Sequence, residues 1–114
     1  MQYDKNNVFY KIIHKELNAN IVLNEENYMA FYTIDPKAPT HILIIPKGEY
    51  VDMYDFMKNA TPQEILDFNE GIVRIIDMMK LNQGGYRIVS NSGKFGMQEV
   101  PHFHIHIMGN SPEK

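Results

Sequence analysis

Apolar and polar positions alternate with a period of two in several short stretches of this chain, and that period is typical of β-strands. The stretches are rich in β-branched and aromatic residues and are separated by turn residues such as Asn, Gly and Pro. They predict five strands, at residues 21–24, 28–33, 41–46, 86–91 and 101–109. The third stretch is apolar almost throughout, which predicts a strand buried on both faces.

A helical period appears in two other places. Within residues 8–17 the side chains of Phe9, Ile12 and Ile13 share one helical face, and Asn6 or Asn7 precedes them as a cap. Such a short helix is not stable alone and must dock on the rest of the fold. Residues 50–59 give an ambiguous pattern that is compatible with a turn of helix.

The clearest start signal for a helix lies at residues 61–64, where Thr-Pro-Gln-Glu forms a capping box. Apolar residues follow at helical spacing up to Met79, and Gly84 and Gly85 end the helix after Lys80. Three further apolar residues widen the stripe: Leu66, Val73 and Met78. The helix therefore has enough apolar surface to pack on the sheet and on a second subunit.

Together these elements predict an α+β fold with an antiparallel sheet of about five strands, one short N-terminal helix and one long helix. With 114 residues, of which 44% are hydrophobic and 22% charged, the chain is expected to form a single domain, residues 1–114. No apolar run approaches the ~20 residues of a membrane span. The N-terminus also lacks the apolar stretch of a signal peptide.

Charge and cysteine content narrow the classes of function. The formal net charge is −3 and the basic residues form no cluster, which argues against a nucleic-acid polymer as partner. A small nucleotide needs only a few local donors and is not excluded by this charge. The chain has no Cys and therefore no disulfides, so we expect a cytoplasmic protein.

Three of the five histidines occupy every second position of the last predicted strand: His102, His104 and His106. The residues that alternate with them are apolar and are expected to point into the core: Phe103, Ile105 and Ile107. Three imidazoles on one face are unfavourable unless they are hydrated, hydrogen-bonded, bound to a metal or used in catalysis. The pattern alone is compatible with a solvated face, with a zinc ion held by His-x-His and a third imidazole, and with a catalytic site.

Residues 102–108, His-Phe-His-Ile-His-Ile-Met, resemble the His-φ-His-φ-His-φ-φ signature (φ is apolar) of the histidine-triad, or HIT, superfamily of nucleotide hydrolases and transferases. Residues 9–16 are similar to the family's Phe-x-Lys-Ile-Ile-x-x-Glu, and residues 30–41 to Ala-Phe-x-Asp-Ile-x-Pro-x-Ala-Pro-x-His. Residues 91–100 are similar to the glycine-containing loop that precedes the triad. The chain thus resembles this superfamily, and its Hint-like hydrolase branch in particular, from Phe9 to Met108.

The resemblance implies an enzyme that acts on the α-phosphate of purine nucleoside 5′-monophosphate derivatives, either phosphoramidates or dinucleoside polyphosphates. His104 would attack the phosphate and form a covalent nucleotidyl-histidine, since neutral imidazole is a competent nucleophile near pH 7. His106 would bind the phosphate and help to protonate the leaving group, while His102 and His41 hold the cluster in shape. Cationic imidazoles and backbone amides would supply the positive field, so no metal cofactor is required.

A nucleotide pocket is also implied. Its base and sugar walls would be Phe9, Ile12, Phe31, Thr33 and Ile34, and its phosphate loop would contribute Asn91, Gln98, Glu99 and Val100. Asn91 and Gln98 would act as neutral donors to phosphate oxygens. Three positions depart from the family pattern. Thr33 replaces an Asp that binds ribose, Met97 replaces a Gly whose positive φ is unfavourable for Met, and Glu99 replaces Ser.

The family resemblance further implies a homodimer joined through the fourth strand and the long helix. Because only residues 110–114 follow the last predicted strand, we expect leaving-group specificity from a C-terminal tail to be absent or loose. Two other classes stay open. One is a purine-nucleotide-binding module in which Thr33 and Glu99 have weakened catalysis, and the other is a histidine-strand zinc protein.

Overall fold

The computed structural model describes residues 2–111, so residues 112–114 of the expected C-terminal tail lie outside it. The elements in chain order are α1 (Val8–Ile13), β1 (Ile21–Asn24), β2 (Tyr28–Tyr32), β3 (Thr40–Pro46), α2 (Met53–Asn59), α3 (Pro62–Met78), β4 (Tyr86–Val89) and β5 (Ile105–Gly109). All strands join one antiparallel sheet in the order β1-β2-β3-β5-β4. The predicted α+β fold with a five-stranded antiparallel sheet is confirmed.

The sheet is covered on both faces around β3, its central strand. All seven residues of β3 are buried, as its continuous apolar run predicts. Ile42 and Ile44 belong to the core that β3 shares with α2 and α3. Leu43 and Ile45 belong to a second core on the opposite face, together with Phe9 of α1. The candidate site lies on the face that α1 covers.

The long helix α3 begins as its sequence predicts. The Thr61 hydroxyl accepts a hydrogen bond from the Glu64 amide at 3.1 Å, and the Glu64 carboxylate accepts one from the Thr61 amide at 2.9 Å. Further along, Gly71 permits close packing on the sheet, because a Cβ at this position would lie 2.7 Å from the ring of Tyr28. The capping box and this glycine together fix how α3 lies on the sheet.

Several element ends differ from the predictions. Helix α1 ends at Ile13, short of residue 17, because Lys15 has a φ of 63 and leaves the helical conformation. Helix α3 ends at Met78, before Lys80, whose φ is 54. Strands β2 and β4 also stop slightly before their predicted ends. Each helix thus ends near a single lysine with a positive φ, and because this residue is not glycine, the sequence does not predict the end.

A second short helix, α2, replaces the ambiguous pattern around residue 55. The Asp52 side chain accepts a hydrogen bond from the Asp55 amide at 2.9 Å and caps the first turn. Phe56 of α2 is fully buried and packs against Phe68 and Phe103, with ring centroids 5.1 Å away in each case. The structure therefore adds α2 to the predicted short and long helices, in the region where the sequence pattern is ambiguous.

The last strand is shorter than predicted. β5 begins at Ile105, so His102 and His104 precede the strand, and the prediction of an unbroken strand through them is wrong. The reason lies in the backbone, because the Phe103 amide donates to the Tyr50 carbonyl, outside the sheet. The side chains still alternate as the sequence predicts, since Phe103 and Ile105 belong to the core beneath α3.

Both edge strands of the sheet, β1 and β4, lack a second strand partner in the described part of the chain. β4 pairs with β5 on one side, and no strand within residues 2–111 pairs with its other side. Ile88 on β4 is 44% exposed and Val73 on α3 is 56% exposed. The described residues contain no helix that combines the length and hydropathy of a membrane span.

Candidate active site

Two adjacent strands bring His41 and His106 together. β3 pairs with β5 so that His41 lies opposite Met108 and Leu43 lies opposite His106. Opposite residues of an antiparallel pair share a face, as do alternate residues of one strand. His41 Nε2 therefore lies only 2.9 Å from His106 Nδ1.

The main chain determines which nitrogens of these two rings carry hydrogen. The Lys37 amide lies 2.9 Å from His41 Nδ1, and because an amide N–H only donates, this nitrogen accepts. The His41 ring then carries its hydrogen on Nε2 and donates it to His106 Nδ1. His106 in turn carries its hydrogen on Nε2. A neutral N–H donor is thus left on His106 for a ligand.

His104 is held in the opposite tautomer. Its Nδ1 lies 2.7 Å from the carbonyl oxygen of His102, and because a carbonyl only accepts, Nδ1 donates. The lone pair is left on Nε2. The ring packs edge-on against Phe9 and His106, with centroid distances of 5.0 and 5.1 Å. These contacts present a fixed nitrogen with nucleophilic character.

His102 is fully buried and has no free ring nitrogen. Its Nε2 donates to the Pro46 carbonyl at 2.8 Å, and its Nδ1 accepts from the Tyr3 hydroxyl. This ring therefore has no nitrogen available for a ligand. It anchors the backbone segment whose carbonyl sets the tautomer of His104.

The four imidazoles of the site are neutral near pH 7. Burial lowers the pKa of His102 to about 4, and burial together with the neighbouring His104 and His41 lowers the pKa of His106 to about 4. The pKa values of His104 and His41 are also lowered, chiefly by burial. The expectation of cationic imidazoles is therefore wrong for the free protein. In the free protein the site therefore offers oriented N–H donors to a phosphate, and not cationic imidazoles.

A cavity of about 740 Å³ lies against His104 and His106, a size typical of small-molecule sites. Most of the residues predicted to bind nucleotide line it: Phe9, Ile12, Phe31, Thr33, Ile34, Asn91, Glu99 and Val100. The rings of Phe9 and Phe31 meet edge to face with centroids 5.6 Å apart. The cavity thus combines an aromatic, apolar wall with two imidazoles whose tautomers follow from their hydrogen-bond partners.

Comparison with known proteins agrees with this arrangement. The profile of the HIT domain matches residues 14–113. The chain belongs to the HIT domain family. It is 48% identical over 105 residues to an uncharacterized 13.2 kDa HIT-like protein of Azospirillum brasilense, covering 92% of this chain and 86% of that protein. It is 35% identical over 106 residues to the purine nucleoside phosphoramidase of Escherichia coli strain K12, covering 92% of this chain and 87% of that enzyme.

Structural comparison gives the same family. The crystal structure of a HIT family hydrolase from Legionella pneumophila matches with a TM-score of 0.84 at 35% identity, covering 91% of this chain and 92% of that chain. In sequence and fold the protein is therefore similar to HIT family hydrolases.

Gln98 lies outside the cavity wall of this HIT domain. Its Oε1 accepts from the Gly93 amide at 2.9 Å, and its Nε2 donates to the carbonyls of Val51 at 2.7 Å and Val100 at 2.9 Å. Both amide hydrogens are committed within the protein. The side chain ties the loop before the triad to the segment that leads into α2, and in this arrangement it has no hydrogen to donate to a phosphate.

Two other departures from the HIT pattern lie in the cavity wall. Met97 adopts a φ of 58, the left-handed conformation that glycine takes most easily, at a cost of about 1 kcal/mol. Glu99 lines the cavity near His104, and its negative charge raises the pKa of that ring against the effect of burial. The loop therefore brings a carboxylate close to the nucleophile.

Residues beyond the predicted set also shape the site. Asp35 lines the cavity, and its carboxylate accepts from Lys37 Nζ at 2.8 Å. Leu43 lines the cavity as well. The sequence could have predicted this, because Leu43 lies two residues after His41 on a strand and therefore on the same face. Tyr3 contacts His102 from the far end of the chain, and no local pattern reveals that contact.

A triad zinc site does not fit this geometry. Among residues 2–111 no three His, Asp or Glu side chains are grouped as ligands for a metal ion. Both ring nitrogens of His102 are engaged in hydrogen bonds within the protein, so the triad does not offer three imidazoles to one ion.

Proposed function

We propose that this HIT-domain protein hydrolyses purine nucleoside 5′-monophosphate derivatives, or transfers their nucleotidyl group, by attack of His104 on the α-phosphate. One observation carries the proposal. His104 donates its Nδ1 hydrogen to the His102 carbonyl, which keeps the lone pair on the Nε2 of a ring that lines the cavity. Burial lowers the pKa of His104 and so maintains the neutral, nucleophilic form.

The reaction has two steps. In the first, His104 Nε2 bonds to the α-phosphorus, and the bond from phosphorus to the leaving nitrogen or oxygen breaks. In the second, water gives a proton to His106 and bonds to the phosphorus, and the phosphorus–nitrogen bond to His104 breaks, which releases the nucleoside 5′-monophosphate. A different acceptor in place of water gives nucleotidyl transfer. No metal cofactor takes part in either step.

His106 serves the leaving group in this scheme. Its Nε2 hydrogen is available because Nδ1 accepts from His41. A bound phosphate anion beside the ring raises the pKa of His106 from its low value in the free protein, so substrate binding favours proton uptake there. The proton is then delivered to the departing nitrogen or oxygen, which is the role expected of a general acid.

The substrate class rests on the cavity wall and on a relative. The edge-to-face rings of Phe9 and Phe31, with Ile12 and Ile34, provide an apolar wall suited to a purine base. The relative in Escherichia coli is named a purine nucleoside phosphoramidase. Adenosine 5′-phosphoramidate is therefore the first substrate to test, with a dinucleoside polyphosphate as the second.

The test compares wild-type protein with His104→Ala in excess chelator. We expect chelator-resistant turnover in the wild type and a loss of at least about 10³-fold in the variant, as for the removal of other catalytic nucleophiles. His14→Ala is the matched control, because His14 is exposed and its ring forms a hydrogen bond with no described residue except the Tyr10 carbonyl of α1. Full turnover by His104→Ala would refute the mechanism. Tight AMP binding without product in the wild type would instead identify a binding module.

We also propose that the protein is a homodimer joined through β4 and α3. The open edge of β4 and the exposed Ile88 and Val73 support this arrangement. Sedimentation as a monomer at micromolar concentration would refute it. A cytoplasmic location stays a prediction.

A further inference from the structure

The Tyr3 hydroxyl reaches across 99 residues of sequence to the Nδ1 of His102. We propose that Tyr3 is a positioning residue for the nucleophile: it holds the His102 ring, and the His102 carbonyl in turn holds His104. This inference rests on the proposed reaction at His104. It adds to that reaction a residue from the N-terminal segment, before α1.

The direction of the Tyr3 hydrogen bond follows from the other side of the His102 ring. Its Nε2 lies 2.8 Å from the Pro46 carbonyl, which only accepts, so Nε2 carries the hydrogen. Nδ1 of the neutral ring then holds a lone pair, and the Tyr3 hydroxyl must donate to it. Without Tyr3 this fully buried ring would have one nitrogen with no partner among the described residues.

Ring packing reinforces the hydrogen bond. Tyr3 meets His102 edge to face with centroids 5.5 Å apart, and it also contacts Tyr10 of α1 at 6.1 Å. Phe9 covers the same histidine at 6.2 Å. Tyr3 is absent from the cavity wall, so its hydroxyl reaches the nucleophile through the bond to His102.

The titratable groups around this contact are few. His104 is the titratable neighbour whose protonated form lowers the pKa of His102, and the Pro46 carbonyl and the Phe9 ring are the non-titrating neighbours. On the far side of Tyr3 the Asn7 side chain acts on the phenol by hydrogen bonding, and the charges of Glu49, Tyr10 and Asp4 act on it at longer range. Burial raises the pKa of Tyr3, so its hydroxyl keeps the donated hydrogen across the working range of pH.

The test is Tyr3→Phe, which keeps the ring and removes only the hydroxyl. We expect kcat to fall about tenfold while KM changes less than about twofold, because a buried acceptor loses its partner and the cavity wall is unaltered. The acid limb of the kcat profile should move up by about one pH unit, since His102 Nδ1 becomes free to take a proton. Tyr10→Phe is the matched control, because no hydrogen bond of the Tyr10 hydroxyl to a described residue is present.

NMR of the histidine side chains provides a readout that does not depend on turnover. In the wild type we expect His102 to keep the Nε2–H tautomer to below about pH 5, and in Tyr3→Phe we expect the ring to titrate at higher pH. If the wild-type protein turns over no nucleotide, the proposed reaction fails and the His102 titration still decides the role of Tyr3. An unchanged His102 titration in Tyr3→Phe overturns the proposal, and so does a fall in kcat with the wild-type pH profile.

Discussion

Replacing Gln98 with alanine removes three hydrogen bonds at once. The lost bonds link the loop before the triad to Gly93, Val51 and Val100. At about 0.5–1.5 kcal/mol for each bond, and allowing for partial exposure of the side chain, the free energy of unfolding should fall by about 2–3 kcal/mol. With a urea m-value near 1–1.5 kcal/mol/M for a domain of this size, the midpoint should fall by roughly 2 M.

The assay is urea unfolding at pH 7 and one fixed protein concentration, so that any coupled assembly contributes equally to all variants. Gln63→Ala is the matched control. Among residues 2–111 Gln63 donates only to Asp67, one turn along the exposed face of α3, so its loss should change the free energy of unfolding by about 0.2–0.5 kcal/mol. Gln98→Glu should destabilise at least as much as Gln98→Ala, because a second carboxylate oxygen would face the two carbonyls.

Three results would refute this reasoning. One is Gln98→Ala with the stability of Gln63→Ala, which would mean that the three bonds contribute nothing. Another is Gln98→Glu with wild-type stability, which would show that the side-chain amide is not a double donor. The third is a selective rise in KM for nucleotide without loss of stability, which would restore the phosphate-donor role that the sequence predicts.

Two further predictions concern the site itself. First, kcat/KM should show its acid limb below pH 6.5, because burial lowers the pKa of His104 and keeps the nucleophile neutral. It should fall as the pH rises from 6 to 8, because the pKa of His106 in the free protein is about 4 and the general acid must take up its proton when substrate binds. A pH–rate profile with an acid limb at 6.5, or one that rises from pH 6 to 8, would contradict it. Second, Met97→Gly should raise the free energy of unfolding by about 0.5–1 kcal/mol, since the left-handed strain exceeds the entropy that glycine adds. Lys15 has a φ of 63 and lies outside the cavity wall, so Lys15→Gly should raise the free energy of unfolding by the same amount. A loss of stability in both variants would contradict the proposed backbone strain.

Local sequence patterns predict most of the fold because each pattern depends on residues that are close together in the chain. The capping box at Thr61 and the apolar run of β3 each specify one element, and both are confirmed. The start of β5 is not predictable in this way, because it depends on a bond from the Phe103 amide to the carbonyl of Tyr50, about fifty residues away. Lys15 adopts a left-handed conformation that its side chain does not signal.

Most residues of the candidate site are likewise predicted from the sequence, but their charges and hydrogen bonds are not. A family motif names His104 and the cavity wall, but the charge of the imidazoles depends on burial, which a motif does not express. Gln98 has the right chemistry to bind phosphate, yet its hydrogens are used by carbonyls brought near it only by folding. Tyr3 meets His102 from the other end of the chain, so its contact with the triad needs the tertiary structure.

The hydrogen that orients His41, and through it His106, comes from a main-chain amide. Every amino acid except proline carries that N–H, so the side chain at position 37 is free to change in charge or size without removing the donor. Mutational scanning of the loop should therefore find position 37 permissive to all side chains but proline. A change of charge at this position alters the pKa of His41, because the Lys37 charge lowers it, but the amide that orients the ring is kept.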